Sequence, residues 1–274
     1  METAKTKTLG PRLAVGFGLG GVFLLSLFNP LLFVGLLSIS TAAAGYELSS
    51  VLKRGGWHVP KYLVGLAGLL LPWIAYFFGP VAQWLTVLIF SAAMVLWRAM
   101  YLAINKERQT LRQTLRDFGA SNWALFYVPL LLSFGGLLID RPNGTAWIFG
   151  LVITVASIDT FGYLIGRFFG KTKLSPRISP KKTWEGLFAS ILGGLFGGII
   201  TALVTGASLW FGLLFGAALL VSSVMGDLSE SLIKRDLEVK DMGNVLPGHG
   251  GMMDRVDSLL PSTFVAYLLA HVVF

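Results

Sequence analysis

The feature that most limits what this chain can fold into is a succession of long, almost uncharged blocks. "PLLFVGLLSISTAAAGYEL" (residues 30 to 48) and "ILGGLFGGIITALVTG" (191 to 206) are two of them. A helix crossing a bilayer needs about 20 predominantly apolar residues. Lipid offers the backbone no hydrogen-bond partner, so such blocks must be helices or the strands of a closed barrel. Strands of a barrel would alternate apolar and polar residues, and these blocks do not. The fold class is therefore all-α: a polytopic integral membrane protein, consistent with 54% hydrophobic and only 13% charged residues.

About nine transmembrane helices are expected, near 13–28, 30–46, 62–79, 81–97, 122–139, 146–166, 186–204, 208–227 and 259–274. With nine, all of the 22 Lys and Arg residues except Arg141 fall on one side. The excess of basic residues in short loops marks the cytoplasmic face, so the N-terminus is expected to be cytoplasmic. The alternative is to read "FNP" (28 to 30) as a kink in one long helix. Eight spans would then put the three N-terminal basic residues with Arg141.

Lys5, Lys7 and Arg12 before an apolar run could imitate a signal peptide, but the small-residue stretch "STAAAG" lies too far downstream to be its cleavage site. The segment is expected to be a mature span. The chain has no cysteine, which excludes disulfides, thiolate nucleophiles and Cys-rich zinc sites and leaves the redox compartment open. A net charge of +8 could suggest nucleic acid, but the basic residues sit at span ends, where they orient the helices and meet lipid phosphates. No nucleic-acid module is present. The stretch from Arg98 to Asp117 is charged and helix-prone and reads either as an interfacial helix or as a solvated connector. Residues 1–119 are expected to form the N-terminal membrane helices and residues 120–274 a catalytic membrane region. Glycines spaced as GxxxG (Gly193 with Gly197, Gly194 with Gly198) read as close helix packing.

Acids are unevenly placed. Glu47 is alone among the apolar blocks of the first half, whereas eight of the 14 acids lie from Glu185 onward. A carboxylate at bilayer depth is costly and normally faces a partner or a watery cavity. Glu47 can snorkel to the interface and is read as structural. Asp159 shares a helical face with Tyr163 and Arg167; it is either internally paired with Arg167 or lines a polar cavity. Asp227 begins a stripe with Ser231 and Lys234 at i, i+4 and i+7, with Glu230 and Ser223 beside it.

The loop that follows, "LEVKDMGNVLPGHGGMMDRVDS", combines Gly248, Gly250 and Gly251, which let backbone N–H groups approach an anion, with Asp254 and Asp257. The last two supply hard oxygen ligands suited to Mg²⁺. In "RFFGKTKLSPRISPKKTWEG", Ser179 followed by Pro180 reads as an N-cap and first helical residue. A helix starting there, with Lys181, Lys182 and Thr183 close by, would bind an anion.

At these residues the chain resembles the phosphatidate cytidylyltransferases, or CDP-diacylglycerol synthases. Ser231, Lys234, Arg235, Lys240, Asp241, Gly243, Pro247, His249, Gly250, Gly251, Asp254, Arg255 and Asp257 fall in register with that family's loop motif. Asp159, Tyr163, Gly166, Gly170, Ser179, Pro180, Lys182, Thr183, Glu185 and Gly186 match the upstream stretch. Gly162 departs from the pattern, which more often has alanine there. The resemblance covers about the last 120 residues by motif and the remainder by hydropathy.

The resemblance implies Mg²⁺-dependent condensation of CTP with phosphatidate to CDP-diacylglycerol and pyrophosphate. By analogy with other nucleotidyl transfers, Asp227 and Asp254 carry the metal with Asp257 as a further ligand, and the scheme admits a second cation. Lys234, Arg235 and Arg255 would bind triphosphate oxygens; Lys182, Thr183 and Ser179 would meet phosphate of CTP or lipid. Ser231 and Ser223 would bind metal or phosphate, with Lys240, Asp241, Gly250, Gly251, Asp159 and Tyr163 lining the substrate sites. His249 is either a general base or, the favoured reading, a hydrogen-bonding residue that shapes the loop or contacts CTP. The phosphatidate head group is expected in a cavity between spans six, eight and nine, facing the cytoplasm at a bacterial inner membrane, in a homodimer.

A CTP-dependent polyprenol kinase or a CDP-archaeol synthase would share the metal and nucleotide parts and differ in lipid. An ion-coupled transporter using Asp159 and Asp227 would need repeat-related discontinuous helices, and the sequence has no matching halves.

Overall fold

The computed structural model describes residues 18, 20–105, 110–245 and 250–273. It is almost entirely helical. The chain forms two compact units: residues 1–136 with 239–256, and residues 137–238 with 257–274. Among the described residues, six helices are long and apolar enough to cross a membrane.

In the first unit, helical residues 20–26 stop at a turn. Asn29 then caps α1 (Pro30–Arg54), accepting a hydrogen bond from the Leu31 N–H with Pro30 at the first helical position. "FNP" is thus a break between two helices, because Asn29 is extended and its side chain replaces a missing backbone acceptor. Helix α2 (Lys61–Asn105) spans 45 residues, about 67 Å if straight, twice the roughly 30 Å of hydrocarbon. Its backbone is broken at Gly79, at φ 75° and ψ −173°, just before Pro80.

The partners of α2 give the direction of each half. After Gly79, Gln83 meets Ser133, Ser91 meets Asn122 and Arg98 meets Asp117. Before it, Val64 lies with Pro129 against Gly45, and Pro72 and Ala75 lie against Gly136. Partner numbers climb along the first half and fall along the second, so the chain reverses at Gly79.

The third stretch runs from α3 (Leu111–Leu125) through a π-helical turn (Phe126–Leu130) that contains Pro129 into α4 (Leu131–Ile139). The π turn follows from the proline, which has no N–H for the regular ladder. Among the described residues between Arg98 and Asp117 there is no separate surface helix. Residues 98–105 complete α2, residues 111–117 begin α3 behind a Thr110–Gln113 capping box, and Lys106 and Arg108 lie outside the described residues. Two of the charges there are used in packing. Arg98 and Asp117 are each 1% exposed and bond at 2.7 Å, with His58 Nδ1 3.2 Å from the same carboxylate.

The second unit packs α5 (Gly144–Phe169), α6 (Trp184–Thr205), α7 (Leu209–Asp236) and α9 (Leu259–Val273). Its seams are made of small residues. Gly193 and Gly197 lie on the backbone of Ser157 and Thr154, Gly198 meets Gly212, and Gly194 meets Gly216. Each pairing falls as its partner rises, so α5, α6 and α7 are antiparallel neighbours. Such contact replaces the hydrophobic drive that lipid does not supply. Ser222 and Ser262 hydrogen bond at 2.9 Å where α7 meets α9.

Between α5 and α6 the chain forms a hairpin, β1 (Lys173–Ser175) with β2 (Ser179–Thr183), antiparallel and irregular in register. The expected helix start at Ser179 and Pro180 is therefore corrected. Both residues are in a strand, and the helix begins at Trp184 with Thr183 as its N-cap, accepting from the Gly186 N–H at 3.2 Å. A capping hydroxyl four residues later outcompetes the Ser-Pro signal, because the hairpin uses residues 179–183 in strand pairing.

Candidate active site

The sequence-predicted residues fall into two groups, one in each unit. In the second unit, a cavity of about 710 Å³ is lined by Asp159, Tyr163 and Arg167 of α5, by Lys173, Ser179, Lys181, Lys182 and Thr183 of the hairpin, by Gly186 and Ser190 of α6, and by Asp227 of α7. Its walls are the sixth, seventh and eighth expected spans and the hairpin. The expectation of a cavity between spans six, eight and nine is corrected accordingly. The hairpin is what brings α6 in, since it sets the lysines on the side where α6 starts.

Each polar group here has a structural reason for its position. Lys182 Nζ lies 2.5 Å from Asp227 Oδ2, and both side chains are partly exposed. Ser231, one turn along α7, donates to Asp227 Oδ1 at 3.3 Å. Asp227 is thus aimed by its own helix and by a lysine from the hairpin. Asp159 opens onto the cavity without an ion pair to Arg167, which instead donates to the Tyr163 hydroxyl at 2.7 Å and lies over the Tyr163 and Phe168 rings. Of its two readings, the cavity-lining one holds.

Thr183 is buried, capping α6 and packing against Gly166 and Gly170. That contact accounts for glycine at those positions. The Glu185 carboxylate accepts from the Thr172 N–H at 3.1 Å, closing the base of the hairpin. Arg235 Nε donates to the Ile178 carbonyl at 3.3 Å, fixing the hairpin's turn to the end of α7.

Deeper on α7, Ser223 is fully buried, and Glu230, 1% exposed, pairs with Lys234. The i, i+4 spacing of Glu230 and Lys234 was readable in advance; the burial of Glu230 was not. Asp257, just ahead of α9, senses both the Asp227 carboxylate and Lys234. Burial first, and then repulsion from Asp227, raise its carboxyl above the usual carboxylate range.

In the first unit, the described parts of the glycine-rich loop are held by two carboxylates. Asp254 Oδ2 accepts from the Met242 N–H at 3.0 Å and the Gly251 N–H at 2.9 Å. Glu47 Oε2 accepts from the Met253 N–H at 3.0 Å. Gly250 has φ +82° and Asp241 lies beside it, a backbone conformation that favours glycine. Lys240 and Arg255 are exposed. Pro247, Gly248 and His249 lie outside the described residues.

Among the described residues no group of three or more His, Asp or Glu side chains is gathered tightly enough to hold a metal by itself. Mg²⁺ seldom needs one, because it is commonly bound through one or two carboxylates with substrate phosphates and water completing the shell. The mutually repelling Asp227 and Asp257 carboxylates offer that donor set, so the residues fit a divalent cation.

A sequence profile of the cytidylyltransferase family matches residues 11–273 of the chain. A phosphatidate cytidylyltransferase of Mycobacterium bovis is 35% identical over 98% of this chain and 90% of its own. That of Mycobacterium leprae is 34% identical over 96% and 88%, and that of Thermotoga maritima is 32% identical over 86% of each.

Proposed function

Because the chain belongs to the cytidylyltransferase family, we propose that it condenses CTP with phosphatidate to give CDP-diacylglycerol and pyrophosphate. The observation that carries this reading is the Lys182–Asp227 pair in the lining of a cavity that further lysines also line. A site with fixed cations and carboxylates can hold phosphates and a divalent ion together, which a packing contact would not require.

Phosphatidate's phosphate is already an anionic nucleophile. An oxygen of it attacks the α-phosphorus of CTP, a new P–O bond forms, the bond from Pα to the bridging oxygen breaks, and pyrophosphate leaves with that electron pair. No strong base is needed. What the chain must do is hold two repelling anions in line and stabilise the charge gathering on the leaving group. Lys182, with Lys181 and Lys173 beside it in the cavity lining, provides positive charge for a phosphate, with Ser179 and the Thr183-capped start of α6 adding hydrogen-bond donors.

Asp227 and Asp257 would hold Mg²⁺, which would offset phosphate charge during transfer; a second cation is compatible with the same donors. Ser231 steadies Asp227, and Ser223 lies on the same helix. Lys234, Arg235 and Arg255 are assigned to triphosphate oxygens, and Lys240, Asp241, Gly250 and Gly251 to the nucleotide. Asp254 is assigned both to the cation and to the order of the glycine loop, and His249 to that loop. Asp159 and Tyr163 line the cavity where the lipid head group would enter.

The same reading assigns the chain nine spans. In that reading the six long helices, the reversal at Gly79 within one of them and helix α9 would account for eight, with the N-terminal apolar segment of the sequence as the ninth. It assigns a cytoplasmic N-terminus, catalysis to residues 120–274 on the cytoplasmic face of a bacterial inner membrane, and a homodimeric enzyme.

The test is incubation of the purified protein in detergent with labelled CTP, Mg²⁺ and, separately, phosphatidate, a polyprenol and an archaeal ether-linked phosphate. CDP-lipid and pyrophosphate should form with phosphatidate and disappear on chelation of the metal. Phosphorylation of the polyprenol, with CDP released, would replace this reading with the kinase one.

A further inference from the structure

Glu47 is the one acid in the apolar blocks of the chain's first half, and its position near a span end gives it an easy route to the interface. The structure does not use that route. Glu47 is 4% exposed, and its carboxylate is turned inward onto residues some 200 positions later in sequence. Oε2 accepts the Met253 N–H at 3.0 Å. Gly243 and Gly251 pass so close that a methyl group on either would overlap the carboxylate, Gly243 on the Oε1 side and Gly251 on the Oε2 side. The Gly251 N–H, in turn, donates to Asp254.

A carboxylate withdrawn from water is tolerated only when hydrogen-bond donors or charges replace its hydration. Glu47 obtains one such donor, the Met253 N–H at Oε2, from the backbone of the glycine-rich loop, and the loop obtains from Glu47 an acceptor for an N–H in the first turn of α8 (Met253–Val256). Met253 is itself buried, so without Glu47 that N–H would lose its partner in a place water does not reach. The two glycines complete the fit, since any larger residue would push the loop away from the acid. Glycine at 243 and 251 therefore has a cause inside the protein, separate from any approach by a ligand.

We propose that Glu47 is a positioning residue: through the Met253 N–H and its contact with Gly243 and Gly251, it sets the backbone course at residues 243 and 251–253 of the loop that binds the CTP phosphates. The nucleotide half of this statement rests on the function proposed above. The positioning half does not. It makes the N-terminal region a contributor to nucleotide binding, although every motif match lies in the last 120 residues.

The test uses full-length protein in detergent, with Glu47→Met, which keeps volume and loses the acceptor, beside Glu47→Gln, which keeps an acceptor oxygen. For Glu47→Met, amide hydrogen exchange at residues 251–253 should rise about tenfold or more, and KM for CTP should rise similarly with KM for phosphatidate unchanged. Glu47→Gln should restore most of both. Gly251→Ala should impair CTP use in the wild-type background and do less additional harm in a Glu47→Ala background, where the overlap with the carboxylate is gone and only that with the Gly243 backbone nitrogen remains. Unchanged exchange in Glu47→Met, or equal rises in both KM values, would overturn the proposal and leave Glu47 a packing residue. If the wild-type protein does not use CTP at all, the proposed function fails, and exchange at residues 251–253 still decides whether Glu47 holds the loop.

Discussion

Lys182 illustrates how a basic residue in a membrane protein can be more than an orientation signal. Its ammonium is held 2.5 Å from Asp227 by a hairpin strand, so its charge has a fixed address before any substrate arrives. Lys182→Ala should raise KM for a phosphate substrate about tenfold or more, the usual range for losing a charge-assisted hydrogen bond; unchanged kinetics would return the residue to the positive-inside pattern. Asp227→Asn should reduce turnover at saturating Mg²⁺ far more than it changes the melting temperature, because the carboxylate is partly exposed and its neighbours do not depend on it for packing. At this scale the sequence was legible where spacing on a single helix decided the contact, as for Asp227 with Ser231. It misplaced Ser179 and Pro180, since strand pairing across the hairpin is a partner choice that local capping preferences do not contain.

Among the elements, the seams of the second unit depend on absent side chains. Gly197 rests on the backbone of Thr154, and Gly197→Val would drive two helices apart or force backbone shifts, costing about 3 kcal/mol or more. The expected outcome is a marked fall in melting temperature and loss of the monodisperse detergent peak, with Leu203→Val, on an exposed face, as the control. In the first unit, Arg98 and Asp117 join the end of α2 to the start of α3. Arg98→Leu would leave a carboxylate that is 1% exposed without its strongest partner, a loss of about 3 kcal/mol, read as a lower melting temperature without a selective change in either KM. The GxxxG spacing announced the glycine seams in advance. The Arg98–Asp117 pair could not be read, because a charged, helix-prone stretch looks the same whether its charges meet water or each other.

Over the whole molecule, composition and the distribution of basic residues carry the topological reading. The chain has no cysteine, so single substitutions can test it cleanly. Arg112→Cys should resist a membrane-impermeant maleimide in intact cells and react after the membrane is opened, whereas Thr145→Cys should react from outside; the reverse pattern would invert the proposed orientation. The sequence by itself determined that this is an α-helical membrane protein, because lipid leaves the backbone no other way to satisfy its hydrogen bonds. It also supplied the candidate residues for the proposed chemistry, because phosphate and metal binding demand particular side chains. Only the tertiary structure decided that Thr183 and not Ser179 starts α6, that α6 walls the cavity, and that Glu47 and Asp254 hold the glycine loop. Each of these is a contact between residues far apart in the chain or a choice between nearly equal local conformations. Such choices are settled by packing and by the satisfaction of buried polar groups, neither of which a linear pattern of residues contains.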